Sequence, residues 1–504
     1  MNRFSQFMAF VLGGAMAFGL LQTLSACSDG RVDIGQVVRV FGSSSTIDPA
    51  QEKELSRFYE TYDTYSNNPS NLRQREHFRD AYRHILANYV TKPDSAKLID
   101  VAVKGVEDLK AKPGSIEPRA VVEAGLDAMM ASLDPHSSYL NPEELIETRV
   151  LTRGEFGGLG IEVTMEDGVI KVVSPIEDTP AFRAGILAGD RISHIDGDPI
   201  AGKTLSQAVK LMRGRPGEPI ELTIQRDGIP DFGVRVVRAV IEVRSVRWHM
   251  EGDAAYIRIA SFTEKVEPKL EQAFAELHKQ AGPTFKGVVL DLRNNPGGLL
   301  LQSLFVSDSF LERGKIVSVR ERDVRRDRDF LAKAGDLSGG APMVVLINEG
   351  SASASEIVAG ALKDQGRAVI MGRRSFGKGS VQTIQPLPLE GALRLTTARY
   401  FSPSGHTIQA RGVAPDIVLK RHAPADAKAT PTFTREADLP GALNGDTLAE
   451  RPARAKLDRD ACPVAGPQND DRDLGCALAY LHAASTEAFL ATIAQEVSSS
   501  SPPM

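Results

Sequence analysis

The chain has 504 residues, a net charge of −5 from 60 Lys and Arg against 65 Asp and Glu, and only three cysteines. This length accommodates about three domains, each able to bury its own core. The composition, 42% hydrophobic and 25% charged, excludes a disulfide-dense miniprotein, a collagen-like chain and a wholly disordered chain. Because the charge is nearly balanced, it gives no electrostatic reason to expect a nucleic-acid partner.

The N-terminus predicts export. Residues 7–21 form an apolar stretch, and no charge occurs between Arg3 and Asp29. The stretch is shorter than the roughly 20 residues that a membrane-spanning helix needs, and it fits the h-region of a signal peptide. The sequence LSAC that ends at Cys27 resembles the lipobox of bacterial lipoproteins. That resemblance implies removal of a signal peptide, residues 1–26, and a lipid on Cys27 that tethers the protein to a membrane at the cell envelope or periplasm; an uncleaved anchor or an ordinary signal peptide remains the alternative.

Residues 27–71 are rich in Ser, Asp and Asn and are interpreted as a tether with at most one short helix. From residue 72 the apolar side chains recur at steps of three and four, which predicts a helical N-terminal domain over residues 72–148. The repeating positions are Phe78, Tyr82, Ile85, Leu86 and Tyr89, then Ile99, Val103, Val106 and Leu109, then Val122, Leu126, Met129 and Leu133.

Residues 149–242 alternate polar and apolar positions in short runs separated by Asp-Gly pairs, which predicts short strands. Two short helices fit at 181–184 and 205–212, and the loop GGLG at 157–160 leads into the first strand. The segment resembles a PDZ domain of the bacterial protease type, a β-sandwich-like module. The resemblance implies that a peptide's C-terminal carboxylate binds at Gly158, Leu159, Gly160 and Ile161 and that the peptide adds an edge strand.

Residues 243–420 alternate apolar strands with helical stretches. The runs at 287–291 and 343–347 are nearly continuous apolar stretches, as expected of strands covered on both faces. A layered α/β core is therefore predicted, which makes the whole chain a multidomain α+β protein. Residues 421–504 are interpreted as a mostly loose C-terminal tail that ends in one helix, residues 474–493.

The segment SASASE at 351–356 lies between an apolar strand and a helical stretch. A serine at such a turn is placed where helix N-terminal amides can stabilise an oxyanion. Taken alone, the segment favours helix capping, because serine is a preferred N-cap residue.

A second segment, FGKGSVQ at 376–382, changes that interpretation. Together the two segments resemble the C-terminal processing peptidases, or tail-specific proteases, which are Ser-Lys serine peptidases with a crotonase/ClpP-like core. The resemblance assigns the nucleophile to Ser353, the general base to Lys378 and the lysine-orienting amide to Gln382. It also implies an oxyanion hole built from the backbone N–H groups of Ala354 and of Gly298, which is favoured over Gly297.

The chemistry of this pair follows from pKa values. A free lysine, with a pKa of about 10.4, is protonated at neutral pH and cannot act as a base. Burial in an apolar pocket disfavours the ammonium and lowers the lysine pKa. Lys378 would then accept the hydroxyl proton of Ser353, and an acyl-enzyme would form. Gln382, being uncharged, would hold the amine without restoring its charge.

Other chemistries fit less well. The P-loop-like sequence that ends at Lys378 is followed by Gly379 and not by Ser or Thr, so nucleotide binding is not predicted. The nine histidines show no metal-binding or Ser-His-Asp spacing, and no cofactor or metal is expected. His136 is interpreted as structural. A non-catalytic PDZ scaffold and a crotonase-like acyl-CoA enzyme remain as alternative functions.

The expected partners are proteins or peptides with accessible C-termini, together with a membrane through the N-terminal lipid. Arg213, at the end of the second PDZ helix, is a candidate relay from peptide binding to the active site, and a solvated helix-end arginine is the alternative. The family resemblance implies dimerisation through the N-terminal helices, and a regulatory adaptor remains open.

With Cys27 lipidated, Cys462 and Cys476 are left as a candidate disulfide in an oxidising compartment.

Overall fold

The computed structural model describes residues 47–166, 168–176, 178–203, 205–282, 285–420, 434–446, 451–466, 470–483 and 485–500. The predicted signal peptide, the lipidation site Cys27 and the start of the predicted tether lie outside these residues. Within them, no helix combines the length and apolar character that would let it cross a membrane.

Four helices form the N-terminal domain: α1 (Pro49–Tyr65), α2 (Leu72–Asn88), α3 (Ser95–Glu107) and α4 (Pro118–Ala131). Asp48, Asn71 and Asp94 are the N-cap residues of α1, α2 and α3, and the side chain of each accepts a hydrogen bond from a backbone N–H of the first helical turn. The assignment of residues 27–71 to a tether is wrong from α1 onward. Leu55, Phe58 and Tyr62 of α1 are fully buried in the helical core, because their spacing of three and four residues gives α1 an apolar face.

The helical domain contributes a strand to the sheet that carries part of the candidate site. Strand β1 (Ser138–Leu140) pairs antiparallel with a long strand far along the chain, Ala392–Phe401. Helix α5 (Pro142–Arg153) follows, and its Asn141 caps it reciprocally with Glu144. The turn at residues 134–137 is thereby held against the peptidase core.

The PDZ-like module begins with β2 (Glu155–Gly158), which pairs with β9 (Ala239–Glu242). Its main sheet is antiparallel, in the order β3-β4-β5-β7-β8, with β6 beside β5. The elements are β3 (Ile161–Glu166), β4 (Val169–Pro175), α6 (Pro180–Arg183), β5 (Arg191–Ile195), β6 (Asp198–Pro199), α7 (Leu205–Met212), β7 (Pro219–Gln225) and β8 (Phe232–Val237). Strand β3 is an edge strand of this sheet, so one side of its backbone is free to pair with a peptide.

The peptidase core is built on a seven-stranded sheet in the order β10-β11-β12-β15-β16-β19-β20, parallel except for β10 with β11. Its strands are β10 (Val246–Glu251), β11 (Ala254–Ile259), β12 (Gly287–Asp291), β15 (Met343–Ile347), β16 (Val369–Gly372), β19 (Ile417–Lys420) and β20 (Ala455–Asp458). Both β12 and β15 are entirely buried, as their nearly continuous apolar sequences predicted.

A second, five-stranded antiparallel sheet joins β1 to β18 (Ala392–Phe401), which also pairs with β17 (Ser380–Pro386) and with β13 (Lys315–Glu321). Strand β14 (Arg328–Leu331) completes it. Helices α8 (Val266–Gln280), α9 (Leu300–Asp308) and α10 (Ala354–Asp364) share one apolar core with residues of both sheets. This layered arrangement is the α/β core that the sequence predicted.

The description of residues 421–504 as mostly loose, with one helix at 474–493, is wrong. The tail adds β20 to the large sheet and then forms two helices, α11 (Arg472–His482) and α12 (Thr486–Ser500). Leu474, Cys476 and Phe489 pack on the sheet face opposite α10. Since alternate residues of β12 and β15 point to opposite faces, the sheet needs a cover on each side, and the tail supplies the second one.

Candidate active site

Ser353 occupies a strained turn between β15 and α10. Its backbone has φ 54° and ψ −112°, a conformation that a residue with a β-carbon rarely adopts. Strain of this kind costs about 1–3 kcal/mol and persists only where the surroundings enforce it, most often at functional sites. The turn places the serine directly before the first amides of α10.

The three serines of SASASE have different surroundings. Ser351 donates its hydroxyl to the carbonyl of Leu292 at 2.8 Å, and Ser355 donates to the carbonyl of Asn295 at 2.9 Å. Both are fully buried and fasten the turn to the loop after β12. Ser353 is half-buried, and its hydroxyl donates to no other described residue. Of the three hydroxyls, that of Ser353 is therefore the one available for reaction.

Glu356 joins the serine turn to the lysine loop. Its carboxylate is fully buried, and one oxygen, Oε2, accepts the backbone N–H of Ser353 at 2.7 Å and that of Lys378 at 2.9 Å. The other oxygen, Oε1, accepts from the hydroxyl of Ser375 at 2.6 Å and from Gly377 N–H at 2.7 Å. Burial raises the pKa of Glu356 to about 7, against the effect of these donors. Sharing one acceptor atom holds the backbones of Ser353 and Lys378 side by side.

Burial lowers the pKa of Lys378 from its ordinary value, which is the direction that a general base requires. Among the neighbouring charges, Glu436, Asp134 and Glu356 oppose this shift, whereas Arg394 adds to it. The electrostatic environment therefore favours the neutral amine, mainly because the amine is removed from water.

The glycines on either side of Lys378 let the lysine loop run close to another stretch of backbone. An added β-carbon at Gly379 would lie 2.2 Å from the backbone N of Gln409, and one at Gly377 would lie 3.1 Å from that of Gly412. Gly377 also has φ 103°. The lysine loop therefore needs glycine because it runs directly against the segment 408–412.

Gln382 lies on β17 with its side-chain amide in a polar cluster. Its Nε2 donates to Ser380 Oγ at 2.9 Å and to Thr396 Oγ1 at 3.1 Å. Thr396 in turn donates to Asp134 Oδ1 at 3.0 Å. The turn of the helical domain thus reaches the neighbourhood of the lysine.

The loop after β12 presents glycine amides beside the serine. A β-carbon at Gly297 would lie 2.8 Å from Ser353 Cβ and 3.1 Å from the N of Ala354. The N–H of Gly297 already donates to Asn295 Oδ1 at 2.9 Å. The N–H groups of Gly298 and Ala354 make no hydrogen bond to any other described residue, which leaves these two amides free for a ligand.

At the PDZ-like module, the carbonyl of Leu159 accepts from Ala181 N–H at 2.9 Å and that of Gly160 accepts from Ile176 N–H at 2.8 Å. In a trans peptide the N–H points away from the C=O, so the amides of Gly160 and Ile161 face away from these partners. Gly158 and Leu159 are buried behind them. The four predicted residues therefore lie where β2 gives way to β3. The outward-facing N–H groups of Gly160 and Ile161 lie next to the unpaired edge of β3.

Arg213 lies at the end of α7. Its guanidinium is 4.9 Å from the ring centroid of Phe156 on β2, and its Nη1 is 3.6 Å from Glu147 Oε1 on α5. The neighbouring Thr148 accepts a hydrogen bond from Arg394 on β18 at 3.1 Å. Arg213 is therefore in contact with the link between the PDZ-like module and the core, which is more than a solvated helix-end arginine would show.

Cys462 and Cys476 are paired, with Cα atoms 5.1 Å apart and both side chains buried. They flank Asp471, which binds Arg293 through two hydrogen bonds of 2.9 and 2.6 Å. Arg293 also binds the fully buried Asp291 at the end of β12. Burial raises the pKa of Asp291, but the guanidinium groups of Arg293 and Arg258 outweigh burial and hold that pKa below its usual range. The disulfide therefore lies in the part of the tail that holds the loop containing Gly297.

Several residues at the site were not assigned a role from the sequence. Glu356 appeared only as the last residue of the motif SASASE, and Thr396 and Glu436 carried no local pattern. Glu436, in a 3₁₀ turn of the tail, is fully buried and accepts from His136 Nε2 and Gln409 Nε2, both at 2.8 Å. His136 is thus structural, as expected. A signal did exist for Glu356, because a glutamate three residues after a serine is the capping-box pattern.

Comparison with known proteins agrees with this architecture. The family model of Peptidase family S41 matches residues 253–419, and that of the PDZ domain matches residues 157–231. A carboxy-terminal-processing protease of Bartonella bacilliformis is 48% identical over 391 residues, which cover 77% of this chain and 85% of the relative. A probable CtpA-like serine protease of Staphylococcus aureus (strain COL) is 34% identical over 356 residues, or 69% of this chain and 65% of the relative.

Among solved structures, the photosystem II D1 C-terminal processing protease is 31% identical, with a TM-score of 0.45, over 69% of this chain and 93% of that chain. The sequence relatives establish membership: the chain belongs to the carboxy-terminal-processing protease family, and it is a serine peptidase of family S41 with a PDZ domain. The mixed α/β fold and the family predicted from the sequence are confirmed. Its domains imply that it binds peptide substrates.

Proposed function

We propose that the protein is an exported endopeptidase that recognises the C-terminal end of protein substrates through its PDZ domain and cleaves near that end with a Ser353-Lys378 dyad. The observation that carries the proposal is the shared acceptor Glu356 Oε2, which holds the backbones of a strained, half-buried serine and of a lysine with a lowered pKa together. A non-catalytic scaffold would have no need of this strain or of a desolvated lysine.

In the proposed reaction, neutral Lys378 accepts the proton of the Ser353 hydroxyl as the oxygen attacks a peptide carbonyl. The oxyanion is stabilised by the backbone N–H groups of Ala354 and Gly298, and the free state of both amides supports this choice over Gly297. The resulting lysine ammonium donates its proton to the leaving amine. Water then hydrolyses the acyl-enzyme, with Lys378 again acting as the base.

Substrate selection is assigned to the PDZ domain. The amides after Leu159 and the open edge of β3 are suited to bind a carboxylate and an extended peptide. Arg213 is assigned the relay from that site, and its contact with Glu147 on α5 supports the assignment. Export and lipid attachment at Cys27 rest on the N-terminal sequence, and dimerisation through the N-terminal helices and dependence on an adaptor remain part of the proposal.

The test is hydrolysis of an unstructured polypeptide with an apolar C-terminal residue by the wild type, by Ser353→Ala and by Lys378→Ala. Both variants should lose activity by at least about 10³-fold, because one lacks the nucleophile and the other its base. The same polypeptide with an amidated C-terminus should be cleaved more slowly, since the PDZ loop then has no carboxylate to bind. Equal cleavage by the wild type and both variants would overturn the dyad.

A further inference from the structure

We propose that Asp134, in the turn that follows α4, is a positioning residue that fixes which end of the Gln382 amide faces Lys378, acting through the hydroxyl of Thr396. This inference rests on the proposed function, in which Lys378 is the general base, and on the lysine-orienting role that the family resemblance implies for Gln382. The three residues come from separate parts of the chain, since Thr396 and Asp134 are 262 positions apart in sequence. The helical domain would thereby take part in setting up the catalytic base.

The direction of the hydrogen-bond chain starts at the carboxylate. An ionised aspartate only accepts, so every hydrogen bond at Asp134 must come from its neighbour. Asp134 Oδ2 accepts from Ser137 Oγ at 2.6 Å, and Oδ1 accepts from Thr396 Oγ1 at 3.0 Å. Asp134 Oδ1 also accepts the backbone N–H groups of His136 and Ser137 at 2.9 and 3.1 Å. Asp134 and Thr396 are 2% and 0% exposed, so no water competes for these bonds.

Thr396 has one hydroxyl hydrogen, and Asp134 takes it. Ser137 Oγ also lies 3.3 Å from Thr396 Oγ1, but its own hydrogen is committed to the shorter bond with Asp134. The Thr396 oxygen is therefore left as an acceptor. Gln382 can bind it only through Nε2, at 3.1 Å, and the second hydrogen of that amide goes to Ser380 Oγ at 2.9 Å.

Both hydrogens of the Gln382 side-chain amide are thus used in hydrogen bonds. The group of this side chain that remains available is the carbonyl oxygen Oε1. In the lysine-orienting role that the family resemblance implies for Gln382, this carbonyl accepts an N–H of the Lys378 amine and leaves the nitrogen lone pair for the Ser353 proton. The opposite orientation would point an N–H donor at that lone pair and block it. Without Asp134, the Thr396 hydroxyl could rotate to donate, and either orientation of the amide would be satisfied.

Strand geometry brings the pair together. The β17–β18 pairing shifts register between Val381 and Gln382, so that Gln382 lies opposite Thr396 and the neighbouring Thr397 is passed over. Bulges of this type re-aim side chains next to active sites. The bulge therefore places the hydroxyl that Asp134 controls directly across from the amide.

The discriminating variant is Thr396→Val, which removes the hydroxyl at nearly constant volume and leaves every charged group around Lys378 in place, namely Glu436, Arg394, Asp134 and Glu356. We expect kcat to fall about tenfold or more with KM unchanged, because only the base is affected. The pH midpoint of kcat should move to lower pH, since the ammonium loses a fixed acceptor. Thr396→Ser should restore most of kcat. Thr397→Val, a buried neighbour whose hydroxyl bonds to Thr383, is the matched control and should behave as wild type.

A double-mutant cycle separates positioning from general destabilisation. In a Gln382→Met background, Thr396→Val and Asp134→Asn should cause no further loss of kcat, because their effect passes through the amide. The inference would be overturned if Thr396→Val lowered kcat by the same factor in the wild type and in Gln382→Met. It would also be overturned if Thr396→Val had the kcat and pH profile of the wild type. If Lys378→Ala is inactive while Thr396→Val is normal, the positioning role alone fails; if Lys378→Ala remains active, the proposed dyad fails.

Discussion

At the scale of single residues, the site depends on two ionisable groups whose pKa values are moved toward each other. Burial lowers the pKa of Lys378 and raises that of Glu356 to about 7. In the proposed mechanism, the active form needs a neutral lysine to take the serine proton. It also needs an ionised Glu356, because a protonated carboxyl would have to turn a hydrogen toward one of its four donors. Both requirements favour higher pH.

We therefore expect kcat/KM to rise with pH across neutrality and to level off above the lowered pKa of Lys378. On the acid side, below about pH 7, two protons must leave, so log kcat/KM should approach a slope of about 2. Glu356→Gln should reduce that slope and lower the plateau, because an amide cannot accept from all four donors. The measurement is a pH profile of peptide hydrolysis by the two proteins. A profile that falls with rising pH through neutrality would contradict this account.

Gly297 provides a second residue-scale prediction. A β-carbon there would lie 2.8 Å from Ser353 Cβ, and the backbone φ of 102° is unfavourable for alanine. Gly297→Ala should reduce kcat/KM by about 100-fold, because it moves the nucleophile and the adjoining amides. Gly340→Ala is the control: φ is 79° and nothing lies within 4 Å, so it bears the backbone strain without the collision. Similar activity losses in both variants, measured with peptide substrate, would show that strain alone explains the effect.

At the scale of elements, α5 connects the PDZ domain with the active-site sheet. Glu147 on α5 faces Arg213, and the adjacent Thr148 binds Arg394 of β18. Arg394 is also one of the charges that act on Lys378. In the proposed function, a displacement of α7 on peptide binding would reach Lys378 through Glu147, Thr148 and the charge of Arg394.

Arg213→Ala should lower turnover of substrates with a free C-terminus and leave turnover of C-terminally amidated substrates nearly unchanged. The reason is that it removes the contact with α5 and leaves the catalytic residues intact. Arg235→Ala, an exposed arginine on β8 of the same domain, is the matched control. Unchanged kcat for the free C-terminus in Arg213→Ala would remove the relay role.

In the molecule as a whole, the described residues belong to one compact unit. Within it, the helical domain and the C-terminal tail both contribute residues to the peptidase core. The helical domain supplies Asp134 and β1, and the tail supplies Glu436, β20 and the second cover of the large sheet. The peptidase core of residues 243–420 is therefore not self-sufficient.

Removing the tail after residue 420 should abolish activity and make the protein aggregate, because it uncovers buried apolar residues of β12 and β15. Ending the chain after residue 500 should have no effect. The double substitution Cys462→Ser and Cys476→Ser should lower the free energy of unfolding by about 3 kcal/mol, because the disulfide joins residues 14 positions apart. Urea unfolding and size-exclusion chromatography measure these effects. A soluble, active chain ending at residue 420 would show that the tail is dispensable.

The amino-acid sequence alone was sufficient to identify the family and the PDZ and peptidase segments, and it predicted the roles of Ser353, Lys378 and Gln382. All of these depend on local patterns: alternation in strands, periodicity in helices, and two short motifs. The family and both domains are confirmed, whereas the dyad remains a proposal. The role of α1, the ordered tail and the surroundings of the proposed dyad became visible only in the folded chain. Asp134, Thr396 and Glu436 meet through contacts between distant segments, and such contacts leave no periodic or motif signal along the chain. Glu356 lies between the two cases, since its spacing from Ser353 was visible but its second bond, to Lys378, required the fold.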